Sequence, residues 1–422
     1  MTLIEAVAIL LLLVSVIGWL NVRFFHLPSS VAMLGAGLVA AVLLLVGQTL
    51  IAPFWGFNTV GALVRTLDFS EAVLDNMLGL LLFASGLQVD LSEIRKRRLA
   101  VWFLATVGVL LSTGLVGLGA WAAARALGIG LPLPWAFAFG ALISPTDPIA
   151  VIGAIRSGAV SPRVGAVLQG EALFNDGVGV VAFTAALAFA AQGVVPDPLT
   201  TAGAILFQAG GGLALGVVAA LALSFALRAI NDRTVEVTCT IALAVGVYEG
   251  ASMLHLSGPI AAASAGQIVG DYGVKSAMSP ETRVNVEGFW DLIDQILNAI
   301  LFLLLSLQVF VLPFDAREAG LWITAAVLAL AARLLIVLPW GFLFRFRHDE
   351  RGASLVLTWG GLRGAISLAL ALSLPASPYR DTILAVTFVL VVFSVVVQEL
   401  TLAPLAARLR NRRVANRPPA AA

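Results

Sequence analysis

The stretch from Ala141 to Val180 reads ALISPTDPIAVIGAIRSGAVSPRVGAVLQGEALFNDGVGV. It places Asp147, Glu171 and Asp176 in apolar sequence long enough to lie in a bilayer, interrupted by one short basic turn. A carboxylate at the centre of a membrane helix costs about 2.5 to 3.5 kcal/mol on insertion scales, so three together call for compensation or a function. A site for an ion and a proton would give all three a use.

Composition sets the class around this stretch. Of the residues, 60% are hydrophobic and only 12% charged, and the mean hydropathy is +1.00. That leaves too little polar surface to face water over a chain of this length. The expected fold is an all-α polytopic membrane protein. Apolar runs of about 20 residues, bounded by charge, Pro or Gly, fall at 3–20, 31–51, 72–89, 99–123, 135–155, 164–191, 200–227, 235–254, 259–270, 289–312, 321–343, 353–374 and 382–405. They make thirteen spans, the ninth unusually short. The N-terminus carries Glu5 and no basic region ahead of its apolar run, which reads as a retained helix rather than a cleaved signal.

Loop charge orients the chain. With the N-terminus outside, nineteen basic residues fall in inner loops and the tail, and only Arg65, Arg125, Arg317 and Arg380 in outer loops. This bias supports an N-out, C-in topology. The net charge of +1 is therefore a matter of topology, and no nucleic-acid partner is implied. Cys239, the single cysteine, excludes an intramolecular disulfide. His26, His255 and His348 lie in predicted loops without a partner at metal-ligand spacing. The glycines of GGGLALG in the seventh span suit close helix packing, since no strand precedes them to make a phosphate loop.

Two spans are broken. Pro145 and Pro148 remove backbone donors from the fifth and push Ser144 and Asp147 out of helical geometry. Gly360, Gly361 and Gly364 surround Arg363 in the twelfth. Six spans lie between the two, so they cross the membrane in opposite directions. This is the pattern of inverted repeats whose discontinuous helices meet near the midplane, although Pro and Gly are also common in membrane helices. Asp147, Asp176, Arg333 and Arg363 all lie roughly ten to twelve residues from a span end, near the bilayer centre. Glu171 and Asn175 are an i, i+4 pair just ahead of Asp176.

SPTDP at 144–148, GEALFND at 170–176 and GGLRGAISLALALSLP at 360–375 resemble the signature segments of the bacterial monovalent cation/proton antiporter-1 family, the sodium/proton antiporters of the NhaP and NHE type. The similarity extends over essentially the whole chain, including the span-ten stretch FWDLIDQILNAILF at 289–302. The resemblance implies a homodimer. Dimerisation-unit helices would occupy 1–95 and 231–314, core helices 96–192 and 315–410, a linker helix 193–230, and a basic cytoplasmic tail 411–422. It implies that Asp176 carries cation and proton alternately, with Asp147 and Thr146 at the helix break completing the Na⁺ site. Asn175 would mark the electroneutral branch, or else serve only as a helix-bonding amide. Glu171 would pair with Arg333, more as a structural salt bridge than a transport group. Ser144 and Arg363 would belong to the helix break or its funnel. For Arg363 three readings stand open: bound to Glu171, bound to the carbonyls of the broken helix, or facing the funnel.

Ala172 departs from the pattern, because several members carry a Ser there whose hydroxyl binds the cation. A backbone carbonyl, a water or Thr146 would have to substitute. Glu399, where the family often has Gly, is a lesser departure, expected at the wet inner end of the last helix.

Physical chemistry supports the same function independently. Na⁺ and Li⁺ are hard cations that take oxygen ligands, and they would compete with a proton for the same carboxylate. Asp147, Glu171 and Asp176 against Arg333 and Arg363 leave one net negative charge, which either one Na⁺ or one H⁺ neutralises. One-for-one, electroneutral exchange follows, with Asp291 and Asp294 left out as funnel residues. No cofactor, enzymatic activity or obligate protein partner is expected; the basic tail favours anionic lipid head groups. A K⁺/H⁺ antiporter is the near alternative. An intramembrane aspartyl protease is disfavoured by the Pro and Asn neighbours of the aspartates, and a cation channel by the matched arginines.

Overall fold

The computed structural model describes residues 3–51, 71–89, 91–147, 153–155, 158–192, 198–278, 280–307, 312, 314–343 and 352–415. All its regular elements are helical. That is the arrangement lipid imposes, since a membrane helix satisfies its backbone polar groups internally. In chain order they are α1 (Leu3–Leu20), α2 (Ser29–Ile51), α3 (Glu71–Gln88), α4 (Arg98–Ala126), α5 (Leu133–Ile143), α6 (Pro162–Gln192), α7 (Pro198–Leu227), α8 (Arg233–Met253), α9 (Gly258–Ile268) and α10 (Pro280–Leu307). There follow α11 (Ala319–Leu343), α12 (Ala353–Trp359), α13 (Ala365–Leu372), α14 (Arg380–Phe393) and α15 (Leu400–Ala415). Among the described residues, eight helical segments are long and apolar enough to cross a membrane, and shorter apolar helices accompany them.

Most helix ends fall within a few residues of the apolar runs, but α10 does not. It begins at Pro280, nine residues before the expected Phe289. Its first turns, PETRVNVEG, are polar and carry an exposed i, i+4 pair, Arg283 to Glu287 at 3.1 Å, so an apolar criterion misses them. Asp294 consequently lies well inside the helix. It is buried, not in an aqueous funnel as expected, and it accepts a hydrogen bond from Asn298 Nδ2 at 3.0 Å. The short ninth span is lengthened, because α9 runs on through a π-helical stretch, Val269–Ala277.

The chain divides into two compact units. The first holds residues 1–91, 195–317 and 368–388. Its helices approach through glycines: a Cβ at Gly86 would run into the Ala263 carbonyl, and one at Gly266 or Gly270 into the carbonyls of Phe83 or Leu87, so α3 and α9 touch backbone to backbone. Gly212 and Gly216 do the same for α7 against Ser257 and Ala261. The Phe83 ring lies tilted against the fully buried Trp290, 4.7 Å between centroids, and the Trp290 indole N–H donates to Thr240 Oγ1 at 3.0 Å. His26 and His255, both at positive φ, lie between helices here; His348 falls outside the described residues.

The second unit holds residues 92–194, 318–367 and 389–422. In it α4 packs on α5 where Gly117 and Gly140 leave room for the facing backbone. A π-helical turn, Leu104–Gly108, interrupts the α-helical geometry of α4 beside Ile336 of α11. Both broken spans lie largely in this unit. The fifth stops at Ile143 and resumes helical geometry at 153–155, with Pro148 to Ile152 outside the described residues. The twelfth divides into α12 and α13 across residues 360–364.

Candidate ion site at the two helix breaks

Each break leaves backbone groups without helical partners, and such groups are costly when buried. At the first, the Ser144 hydroxyl donates back to Gly140 O at 2.6 Å and accepts from Thr113 Oγ1 at 3.3 Å. The carbonyls of Ser144 and Pro145 point out of the helix, and both accept from Nη1 of Arg363, the second at 2.9 Å. Of the three readings open for Arg363, this geometry selects the one in which it caps the exposed carbonyls. The breaks are also joined through backbone, since Asp147 N–H donates to Leu362 O at 2.8 Å.

The approach is close enough to require glycine. A Cβ at Gly364 would overlap the Asp147 carboxyl, and one at Gly179 of α6 would overlap the Pro145 ring. A Cβ at Gly361 would lie 2.7 Å from Arg333 Nε.

Helix α6 brings Glu171, Asn175 and Asp176 to the same place, all nearly fully buried. Glu171 and Arg333 form a bidentate pair, with Arg333 Nη1 on Oε1 and Nη2 on Oε2 at 2.6 Å. Arg333 Nε donates further to Leu357 O at 3.3 Å, near the end of α12. Charge, hydrogen bonds and geometry are thus satisfied together, as a buried ion pair requires.

Asn175 Nδ2 donates to Thr146 Oγ1 at 2.6 Å, tying α6 to the first break. Its other atom, Oδ1, is buried and has no hydrogen-bond partner among the described residues. Asp176 is 3% exposed, and its carboxylate and that of Asp147 repel one another. The centre of the unit therefore holds two carboxylates, a hydroxyl and an orphaned amide oxygen. Thr146, Asp147, Asn175 and Asp176 make up this cluster, Glu171 pairs with Arg333, Arg363 meets the Ser144 and Pro145 carbonyls, and the Ser144 side chain turns instead to Gly140 and Thr113. Ala172 is buried beside it and supplies no side-chain oxygen. Among the described residues no group of three His, Cys, Asp or Glu side chains could hold a metal ion. An all-oxygen donor set of this kind suits a hard cation.

Two buried residues of the last span escaped the sequence reading. Ser394 and Gln398 lie in a π-helical turn, Ser394–Glu399, between α14 and α15, and Ser394 reaches the second break. Their signal was a pair of polar residues at i, i+4 inside the apolar run VVFSVVVQEL.

Buried acids matched by arginines at a junction of interrupted helices, in a chain of membrane-length helices, belong to a transporter and not to an enzyme or an open pore. The comparisons agree: residues 9–408 match the family described as sodium/hydrogen exchanger, transmembrane, and the chain belongs to that family, on its NhaP-type branch. It is 38% identical over 410 residues to the Na(+)/H(+) antiporter NhaP of Pseudomonas aeruginosa, covering 96% of each chain. To the Na(+)/H(+) antiporter NhaH of Halobacillus aidingensis it is 33% identical over 407 residues, covering 95% of this chain and 96% of the relative. The fold is similar to that of the sodium proton antiporter MjNhaP1 from Methanocaldococcus jannaschii, with a TM-score of 0.75 at 19% identity, over 96% of this chain and 98% of the other.

Proposed function

We propose that this protein exchanges Na⁺ or Li⁺ for H⁺, one for one, with cation and proton competing for Asp176. The observation that carries the proposal is the orphaned Asn175 Oδ1 beside Asp176. An unsatisfied buried amide oxygen costs about 1–3 kcal/mol, and a hard cation held by Asp176, Asp147 and Thr146 would satisfy it. Asn175 then supplies the neutral oxygen that Ala172 lacks.

The chemistry follows from charge. Glu171 is neutralised by Arg333, and Arg363 stands against the break, so Asp147 and Asp176 together hold one negative charge more than their surroundings balance. A proton on Asp176, or a Na⁺ shared among the oxygens, removes that charge. Either loaded form then crosses a low-dielectric barrier more readily than the empty one, which is what couples the two fluxes. The proposal includes the division into core and dimerisation helices, a homodimer, an N-out, C-in topology in a bacterial inner membrane, and contact of the basic tail with anionic lipid.

The deciding experiment is proton flux in everted vesicles with Na⁺, Li⁺ and K⁺ in turn, on wild type and Asp176→Asn. Exchange is expected with Na⁺ or Li⁺ in wild type and none in the variant. Persistent exchange by Asp176→Asn removes that residue from the mechanism, and exchange with K⁺ alone replaces the substrate.

A further inference from the structure

An uninterrupted helix through the twelfth span would close a hydrogen bond from Arg363 N–H to Trp359 O, the i to i−4 partner. The break opens that bond, and both of its ends are engaged by side chains of the last span. Arg363 N–H donates to Ser394 Oγ at 2.7 Å, Ser394 Oγ donates to Gln398 Oε1 at 2.8 Å, and Gln398 Nε2 donates to Trp359 O at 3.2 Å. The direction of this chain is fixed chemically. A backbone carbonyl only accepts, so Gln398 must turn its NH₂ to Trp359. Its oxygen then needs a donor, and the Ser394 hydroxyl, having accepted from Arg363, has its proton free to give.

We propose that Ser394 and Gln398 are positioning residues for the ion site: a two-side-chain bridge inserted into one of the helical hydrogen bonds that the break opens. The π-helical turn that carries them is the device that delivers both to one place, and such turns are enriched where function needs them. Thr401, on the same helix, holds the Trp359 indole N–H at 2.9 Å, so the side chain and the carbonyl of Trp359 are both anchored to the last span.

The bridge acts on the site through Leu362. Its carbonyl, between the two bridged positions, accepts from Asp147 N–H. Rewinding residues 359–363 into a helix would restore the direct bond and withdraw that carbonyl, and Asp147 would move with it. By occupying both ends of the missing bond, Ser394 and Gln398 make rewinding unprofitable. Segments in which a side chain enters the helical ladder are known points of bending, which suits a site that must rearrange around its ion. The same bridge also ties the second break to the last span, so displacement of that span reaches Asp147 without any contact to the ion.

The inference rests on the antiporter reading for its functional consequence, and two measurements keep the two apart. In liposomes containing purified protein, Ser394→Ala and Gln398→Met are expected to raise the KM for Na⁺ about tenfold and to shift the pH dependence of exchange, while Ser394→Thr, which keeps the hydroxyl, stays near wild type. Wild-type KM and pH dependence in both of the first two variants would overturn the inference. So would a fall in kcat alone, or a Thr variant as impaired as the Ala one. Hydrogen exchange over 359–363 reads the bridge without transport: faster exchange in either bridge variant than in wild type supports it, and equal rates overturn it. If Ser394→Ala does not fold, the nearly isosteric Gln398→Met carries both measurements. A wild type that exchanges no cation counts against the antiporter reading, and the backbone measurement still decides the bridge.

Discussion

Glu171 and Arg333 show how a buried charge is tolerated at membrane depth. Both carboxylate oxygens are engaged, and the guanidinium Nε–H donates to the Leu357 carbonyl. Removing one partner strands the other, at a cost of about 3–5 kcal/mol, whereas removing both costs far less than the sum. Glu171→Gln and Arg333→Gln are each expected to lower the thermal midpoint of the purified protein markedly, and the double variant to recover part of the loss. Additive losses in a double-mutant cycle would show the pair to be energetically uncoupled. In the proposed site Ala172→Ser adds a hydroxyl beside the oxygen that Asn175 would supply, and the expected outcome is a change in Na⁺ to Li⁺ preference measured as a ratio of KM values. An unchanged ratio would place residue 172 outside the coordination sphere.

Between residues and helices, the glycines decide how closely elements meet. Gly364 has no room for a methyl group because the Asp147 carboxyl occupies that space. Gly364→Ala must displace either the carboxyl or the break, and a rise of about tenfold or more in the KM for Na⁺ is expected, with protein yield retained. Normal KM in that variant would mean that Asp147 can move without consequence. The broken helices themselves were legible, since Pro145, Pro148 and the glycines around Arg363 announce them. Ser394 and Gln398 were not, because a Ser and a Gln in an apolar run have many possible uses in a membrane helix. Only proximity to a particular backbone N–H and a particular C=O gives them one. The polar first turns of α10 were missed for a plainer reason: helicity and hydropathy are separate properties, and a search for apolar runs detects only the second.

For the whole molecule, electroneutrality is the sharpest consequence of the proposed exchange. Transport by protein in liposomes is expected to be unaffected by an imposed membrane potential, and a clear dependence on potential would break the one-for-one count. Competition at a single carboxylate also has a definite sign with pH. As pH falls through the range in which the empty site takes up a proton, the apparent KM for Na⁺ should rise by up to about tenfold per pH unit. A pH-independent KM would mean that the two ions do not share a site.

The sequence by itself determined the class, because 60% hydrophobic residues in membrane-length runs admit little else. It also singled out Asp147, Glu171, Asp176, Arg333 and Arg363 as too expensive at membrane depth to be incidental. Which acid met which cation lay beyond it, since 162 positions separate Glu171 from Arg333 and about 218 separate Pro145 from Arg363. Tertiary structure made those choices by bringing two helix breaks into hydrogen-bonding distance. There the cost of unsatisfied backbone groups selects Arg363 for the carbonyls, leaves Arg333 to Glu171, and leaves Asn175 Oδ1, next to Asp176, without a hydrogen-bond partner among the described residues.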